Sequence, residues 1–175
     1  MPSSSLFRTL PLVLLLATLG ACGDDDADTD HTTPLDERCV EAELPPSDGT
    51  ILEWLEEPGN LQSWARETAP HPSAGPHFGN VVTYINTCLE GSMSAGNDIH
   101  PVGAASVKAL FGPDGVAQRQ GWAVSVKVDN GGGGDDWYWY QRFDGEVTAD
   151  SRGENFCVNC HNDGTDHVLT GYPLQ

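Results

Sequence analysis

The chain has 175 residues, with 26 Asp and Glu against eight Lys and Arg, and a formal net charge of −18. So few cations, none of them clustered, make nucleic acids and anionic membrane surfaces poor partners, whereas plain solubility or a basic redox partner fits the charge.

Residues 1–21 read as an export signal rather than a membrane span. A short polar stretch carries Arg8, and an apolar run follows from Leu10 to Leu19, interrupted only by Pro11 and Thr18. A run of about ten residues is too short to cross a bilayer as a helix, which needs roughly 20. It ends in Leu19-Gly20-Ala21-Cys22, which resembles a bacterial lipobox. That resemblance implies that Cys22 is lipidated and becomes the first residue of a lipoprotein. The lipid would anchor the protein to a membrane of the cell envelope, facing the periplasm or the exterior. An ordinary secretory signal cut nearby would instead leave Cys22 a free thiol, and either way the chain is exported. Residues 22–38, with Asp24, Asp25, Asp26, Asp28 and Asp30, bury nothing apolar and predict a disordered acidic tether in which His31 is solvated.

Residues 39–175 have the length of one domain able to bury a core, with no internal repeat and no second linker. Ser47 or Asp48 can cap a helix over 50–56 that ends at Pro58-Gly59. Asn60 can cap a second over 61–66, whose Leu61, Trp64 and Ala65 share one core-facing side. The period then changes to two. Residues 81–86, 104–111 and 121–128 are rich in strand formers, and in the third Trp122, Val124, Val126 and Val128 share one face. Gly131 to Gly134 form a flexible loop, and Trp137 to Phe143 resume as the second arm of a hairpin. The expected fold is mainly β (α+β): an antiparallel β-sheet domain with a few short helices.

Near the C-terminus stands Cys157-Val158-Asn159-Cys160-His161. C-x-x-C-H is the spacing at which two thiols add to the vinyl groups of one haem while the next residue ligates its iron. Thiols three positions apart reach adjacent edges of the porphyrin, and the histidine falls beneath the ring centre. Two other chemistries use the same residues: a C-x-x-C disulfide or redox pair, and a zinc site completed by His161 or His167. Zinc sites of that kind usually carry a second ligand pair, and no other C-x-x-C or H-x-x-x-H occurs in the chain. With one cysteine for lipid and two for haem, Cys39 and Cys88 remain. An oxidising compartment would join them, and two buried free thiols are the alternative.

Taken in order, residues 100–108 (His-Pro-Val-Gly-Ala-Ala-Ser-Val-Lys), Trp137-Tyr138-Trp139-Tyr140, the C-V-N-C-H motif, Asp166-His167-Val168 and Tyr172-Pro173-Leu174 resemble the cytochrome P-460 family. Pro76-His77-Phe78-Gly79-Asn80-Val81 and Tyr84-Ile85-Asn86 extend the likeness, which covers about residues 60–175. The β-sheet form of cytochrome c-prime is a relative. The resemblance implies an exported, mainly β homodimer carrying haem c near the C-terminus on Cys157 and Cys160. It makes His161 the proximal ligand of a five-coordinate iron, with an open distal face that oxidises hydroxylamine or binds nitric oxide. In catalytic members a lysine also bonds to the porphyrin. The family layout puts that lysine after the strand at 104–111, where this chain has Arg119 and no lysine. Lys108 and Lys127, the only lysines, fall in predicted strands, and the cross-link is assigned to neither.

Phe78, Phe111, Trp122, Trp137 and Trp139 could wall an apolar distal pocket, and each could equally be core. For a sixth iron ligand Met93 and His100 are the first candidates, followed by His71, His77 and His167. Asp144, Glu146 and Glu154 are candidate bases, and no catalytic residue is assigned. The expected function is that of a mono-haem c-type cytochrome that oxidises or binds small nitrogen species and exchanges electrons with a redox partner protein. The alternative is a six-coordinate electron-transfer cytochrome c without substrate chemistry.

Overall fold

The computed structural model describes Cys39 and residues 44–73, 75–77, 79–113 and 115–175. Residues 1–38, read above as an export signal and an acidic tether and including Cys22, and Phe78 lie outside the described residues. In chain order the elements are α1 (Ile51–Glu56), β1 (Ala65–Arg66), β2 (His71–Pro72), β3 (Asn80–Ile85), α2 (Thr87–Ser94), β4 (Ala105–Leu110), β5 (Gly121–Lys127), β6 (Trp137–Phe143), β7 (Glu146–Arg152) and α3 (Asn155–His161). All seven strands form one sheet in the order β1-β3-β4-β5-β6-β7, with β2 also paired to β3. Every pairing between these strands is antiparallel, so the domain is mainly antiparallel β with a few short helices, as the sequence predicts. Among the described residues no helix is long and apolar enough to cross a membrane.

Side chains alternate between the faces of a strand, and all seven residues of β5 are buried, so both faces of the sheet are covered there. On one face Val107, Trp122, Val124, Val126, Tyr138 and Tyr140 pack with Ile51 and Leu55 of α1 and with Trp64. This is the apolar stripe that the alternation of Trp122, Val124 and Val126 predicts. The opposite face is more polar. Its register sets Thr83, Lys108, Ala123 and Gln141 side by side across four strands, and Ser106, Ser125 and Trp139 in the next row.

α1 starts where Asp48 accepts hydrogen bonds from the Thr50 amide and hydroxyl, at 2.9 and 2.6 Å. The second helix expected over 61–66 does not form: turns lead to Trp64, and Ala65–Arg66 is β1. Asn60 donates its side-chain amide back to the Trp54 carbonyl at 2.8 Å and so closes α1 instead of opening a new helix. The edge of β3 offers partners that a helix here would forgo: Ala65 and Arg66 pair with Ile85 and Tyr84. Asn86 caps α2 by accepting from Leu89 N–H at 2.9 Å, and it also accepts from Ala105 N–H and donates to the Gly103 carbonyl. Cys39 and Cys88 are joined as a disulfide that ties residue 39 to α2.

Candidate cofactor site

α3 carries the C-V-N-C-H motif, and Glu154 starts the helix by accepting from Phe156 N–H. Helical spacing puts Cys157, Cys160 and His161, at i, i+3 and i+4, on one side of α3. All three line a cavity of about 820 Å³ whose floor is the polar sheet face, including Thr83, Ser106, Lys108, Trp139 and Gln141. Val158, from the middle of the motif, packs away from them against Gly134. Both thiols are free, so no disulfide joins Cys157 to Cys160. Burial, helped by Glu154 and Cys160, pushes the Cys157 thiol up to about 12. Reactive C-x-x-C pairs show the reverse, a lowered thiol pKa. Among the described residues no three His, Cys, Asp or Glu side chains are gathered as a metal ion held by the protein alone would need.

His161 is aimed by its neighbours. Its Nδ1 lies 2.7 Å from the His167 carbonyl oxygen, which can only accept, so Nδ1 carries the hydrogen and Nε2 keeps its lone pair. Burial, the chief cause, lowers its pKa to about 4, which keeps the ring neutral near pH 7, the form that ligates a metal. The Trp139 ring meets it edge-on at a centroid distance of 4.7 Å. The carbonyl that orients His161 is itself fixed. Asp166 and His167 adopt left-handed φ of 42° and 64°. Asp166 accepts from Lys127 Nζ at 2.8 and 2.9 Å, from His100 N–H at 2.8 Å and from Trp137 Nε1 at 3.4 Å.

Across the cavity stands His77, its ring centroid 6.2 Å from that of His161 and its plane turned by 79°. Its Nδ1 lies 3.1 Å from Gln141 Oε1, whose amide orientation is set by donation from Nε2 to Thr148 Oγ1. Burial, then Lys108 and His161, lowers the His77 pKa to about 3. Lys108, read from the sequence as a strand residue to which no cross-link is assigned, lines this cavity, and burial lowers its pKa against the opposing pull of Glu67. Glu67 and His71 line the same cavity.

Several residues singled out in the sequence stand elsewhere. Met93 and His100 line a separate cavity of about 300 Å³, and His100 Nδ1 is held 2.8 Å from Ser92 Oγ, so neither is placed as a sixth ligand. Phe111 and Trp122 belong to the opposite sheet face. Trp137 is fully buried behind Trp139, which alone of that aromatic set lines the large cavity among the described residues. Asp144 lies in the β6–β7 turn, Glu146 is exposed at the start of β7, and Glu154 caps α3, so none of the three lines the cavity. Glu67 and Gln141 were missed. Glu67 sat in the stretch after the expected helix and Gln141 inside an aromatic strand, and neither carries a local signal. No protein-family model, curated protein or solved structure matches this chain.

Proposed function

We propose that the cavity holds a haem c attached through Cys157 and Cys160 and ligated by His161 Nε2, in an exported cytochrome of the P-460 kind that oxidises or binds small nitrogen species. The observation that carries this reading is convergence: both motif thiols and the histidine line one cavity of about 820 Å³, within the volume range of cofactor sites. The donor chemistry fits as well. Each thiol can add across a vinyl group, sulfur to one carbon and hydrogen to the other. His161 is neutral, with its second nitrogen already donating to a carbonyl, as metal-bound histidines usually do. When bound, the haem supplies an iron for a small ligand and a route for electrons. Trp139 packs edge-on against His161, and Lys108 places its amine in the cavity. Lipid at Cys22, a homodimer and a redox partner protein complete the reading.

The test is the absorption spectrum of the full chain exported from cells with haem c assembly: oxidised, reduced, then exposed to nitric oxide. A coloured protein that keeps its haem on a denaturing gel, and loses it in Cys157→Ser/Cys160→Ser, is expected. A colourless protein would overturn the reading. A high-spin spectrum that shifts with nitric oxide selects gas binding. A strongly red-shifted reduced Soret band that disappears in Lys108→Ala selects the catalytic form, with Lys108 bonded to the porphyrin. One observation favours a six-coordinate electron carrier instead: the His77 ring stands 6.2 Å from that of His161, near the spacing of two imidazoles that flank one metal at about 2 Å each. A low-spin spectrum that becomes high-spin in His77→Ala would select it.

A further inference from the structure

At the edge of the sheet a carboxylate and an imidazole are paired in a way that attachment of a haem does not require. Glu67 follows β1 and is 7% exposed. Its backbone N–H donates to the Thr83 carbonyl at 3.0 Å, and its Oε2 accepts from Thr83 N–H at 2.6 Å. Its Oε1 lies 3.1 Å from His71 Nε2. The side chain of His71, in β2, is 46% exposed against 8% for that of Glu67. Both residues line the cavity of His161, and Thr83, which holds Glu67, stands opposite Lys108 in the β3–β4 register.

Hydrogen-bond accounting fixes the proton content of the pair. His71 Nδ1 lies 3.0 Å from the Pro72 carbonyl oxygen, a group that only accepts, so Nδ1 carries a hydrogen. Nε2 and Glu67 Oε1 would then be two acceptors face to face unless one proton lies between them. The pair therefore holds one further proton, as carboxylate with imidazolium or as carboxylic acid with imidazole. One partner is closed in at the cavity wall and the other opens to water.

We propose that Glu67 and His71 form a one-proton relay between the cavity and solvent. A proton released by a small N–H or O–H ligand in the cavity is taken up by the Glu67 carboxylate as the shared proton moves onto His71 Nε2, from which it passes to water as the half-exposed ring turns outward, while Nδ1 keeps its hydrogen. Run in reverse, the same path brings in a proton to balance an electron arriving in the cavity. The charged and titratable groups that line the cavity with the relay include Lys108 from β4, His77 from the segment before β3, Cys157, Cys160, His161 and Asp163 from α3 and the turn after it, and Tyr172 and the C-terminal carboxylate of Gln175, a backbone oxygen of which accepts from Thr68 N–H beside Glu67 at 2.8 Å. The relay rests on reading the cavity as a haem site, so its test separates the two.

On the haem-loaded full chain, the reduction potential measured against pH should fall with rising pH in the wild type. It should be flat, or nearly so, in Glu67→Gln and in His71→Ala, while Asp129→Asn, on the exposed surface, keeps the wild-type slope. Equal slopes in the wild type and Glu67→Gln, or no slope in the wild type, overturn the relay. A colourless protein overturns the haem reading instead, and nitrogen-15 NMR of His71 then decides the pair without haem. The expected spectrum shows Nδ1 protonated throughout and an Nε2 resonance that changes in Glu67→Gln. A His71 protonated on Nε2 alone, or one titrating identically in both proteins, overturns the relay.

Discussion

Lys127 and Asp166 meet with no exposed side-chain surface at all, each pulled out of water at a cost of several kcal/mol. The cost is offset because Asp166 also accepts from the His100 amide and the Trp137 indole, while Lys127 donates a further bond to the Gly131 carbonyl. What the pair achieves is position: it holds the left-handed Asp166–His167 backbone whose carbonyl orients His161. Lys127→Met leaves the Asp166 charge buried without its partner, and urea denaturation should show a loss of about 3–5 kcal/mol. Asp129→Asn removes a pair whose side chains are 53% and 58% exposed, and should cost less than about 1 kcal/mol. A loss below about 1 kcal/mol in Lys127→Met would show that water reaches the pair. At this scale the sequence was legible where residues that line one cavity are also close in the chain, as are Cys157, Cys160 and His161. It was not legible for His77 and Gln141, which meet across 64 positions of chain, or for Lys108, whose strand could be read but not the side to which it points.

Elements rich in β-branched and aromatic residues were readable, and β3, β4, β5 and β6 fall within a residue or two of where alternation puts them. β7 was not, because Glu146–Arg152 buries only Ala149 and follows no apolar period. β1 and β2, at two residues each, exist only because the edge of β3 is free to pair with them. α3 is the element on which the candidate site depends most, and none of its residues is fully buried, so its seat rests on few contacts. One of these is close. A Cβ added at Gly134, on the 3-10 turn before β6, would lie 2.4 Å from Val158 Cγ1, and valine has little rotamer freedom with which to give way. Gly134→Ala should therefore displace α3, with an overpacking cost of about 1–3 kcal/mol in thermal unfolding and, on the proposed haem reading, a lower yield of attached haem. Val158→Ala in the same chain should restore both. If Gly134→Ala behaves as wild type, α3 is not seated on that turn.

For the molecule as a whole, acidity and buried histidine act in opposite directions as pH falls. The formal charge of −18 makes the chain repel itself, and that repulsion relaxes as carboxylates protonate toward the sequence pI of about 4.3. His77 and His161 work against this. Their folded-state pKa values, about 3 and about 4, lie below the ordinary 6.5, chiefly because burial disfavours the charged ring. Their contribution is fully present above pH 6.5 and is lost as pH falls, because the unfolded chain takes up protons that the folded chain refuses. The slope is at most about 1.4 kcal/mol per pH unit for each histidine. Between about pH 6.5 and 5 the carboxylates remain mostly ionised, so repulsion is nearly constant and the histidine effect should win. The chain prepared without any cofactor should thus show a urea midpoint that falls steadily from pH 7 to pH 5, and His77→Phe, which removes one of three histidines whose pKa burial lowers, His100 being the third, should reduce that slope by about a third. A midpoint that rises over this range would mean that surface repulsion, rather than the cavity histidines, governs the acid response.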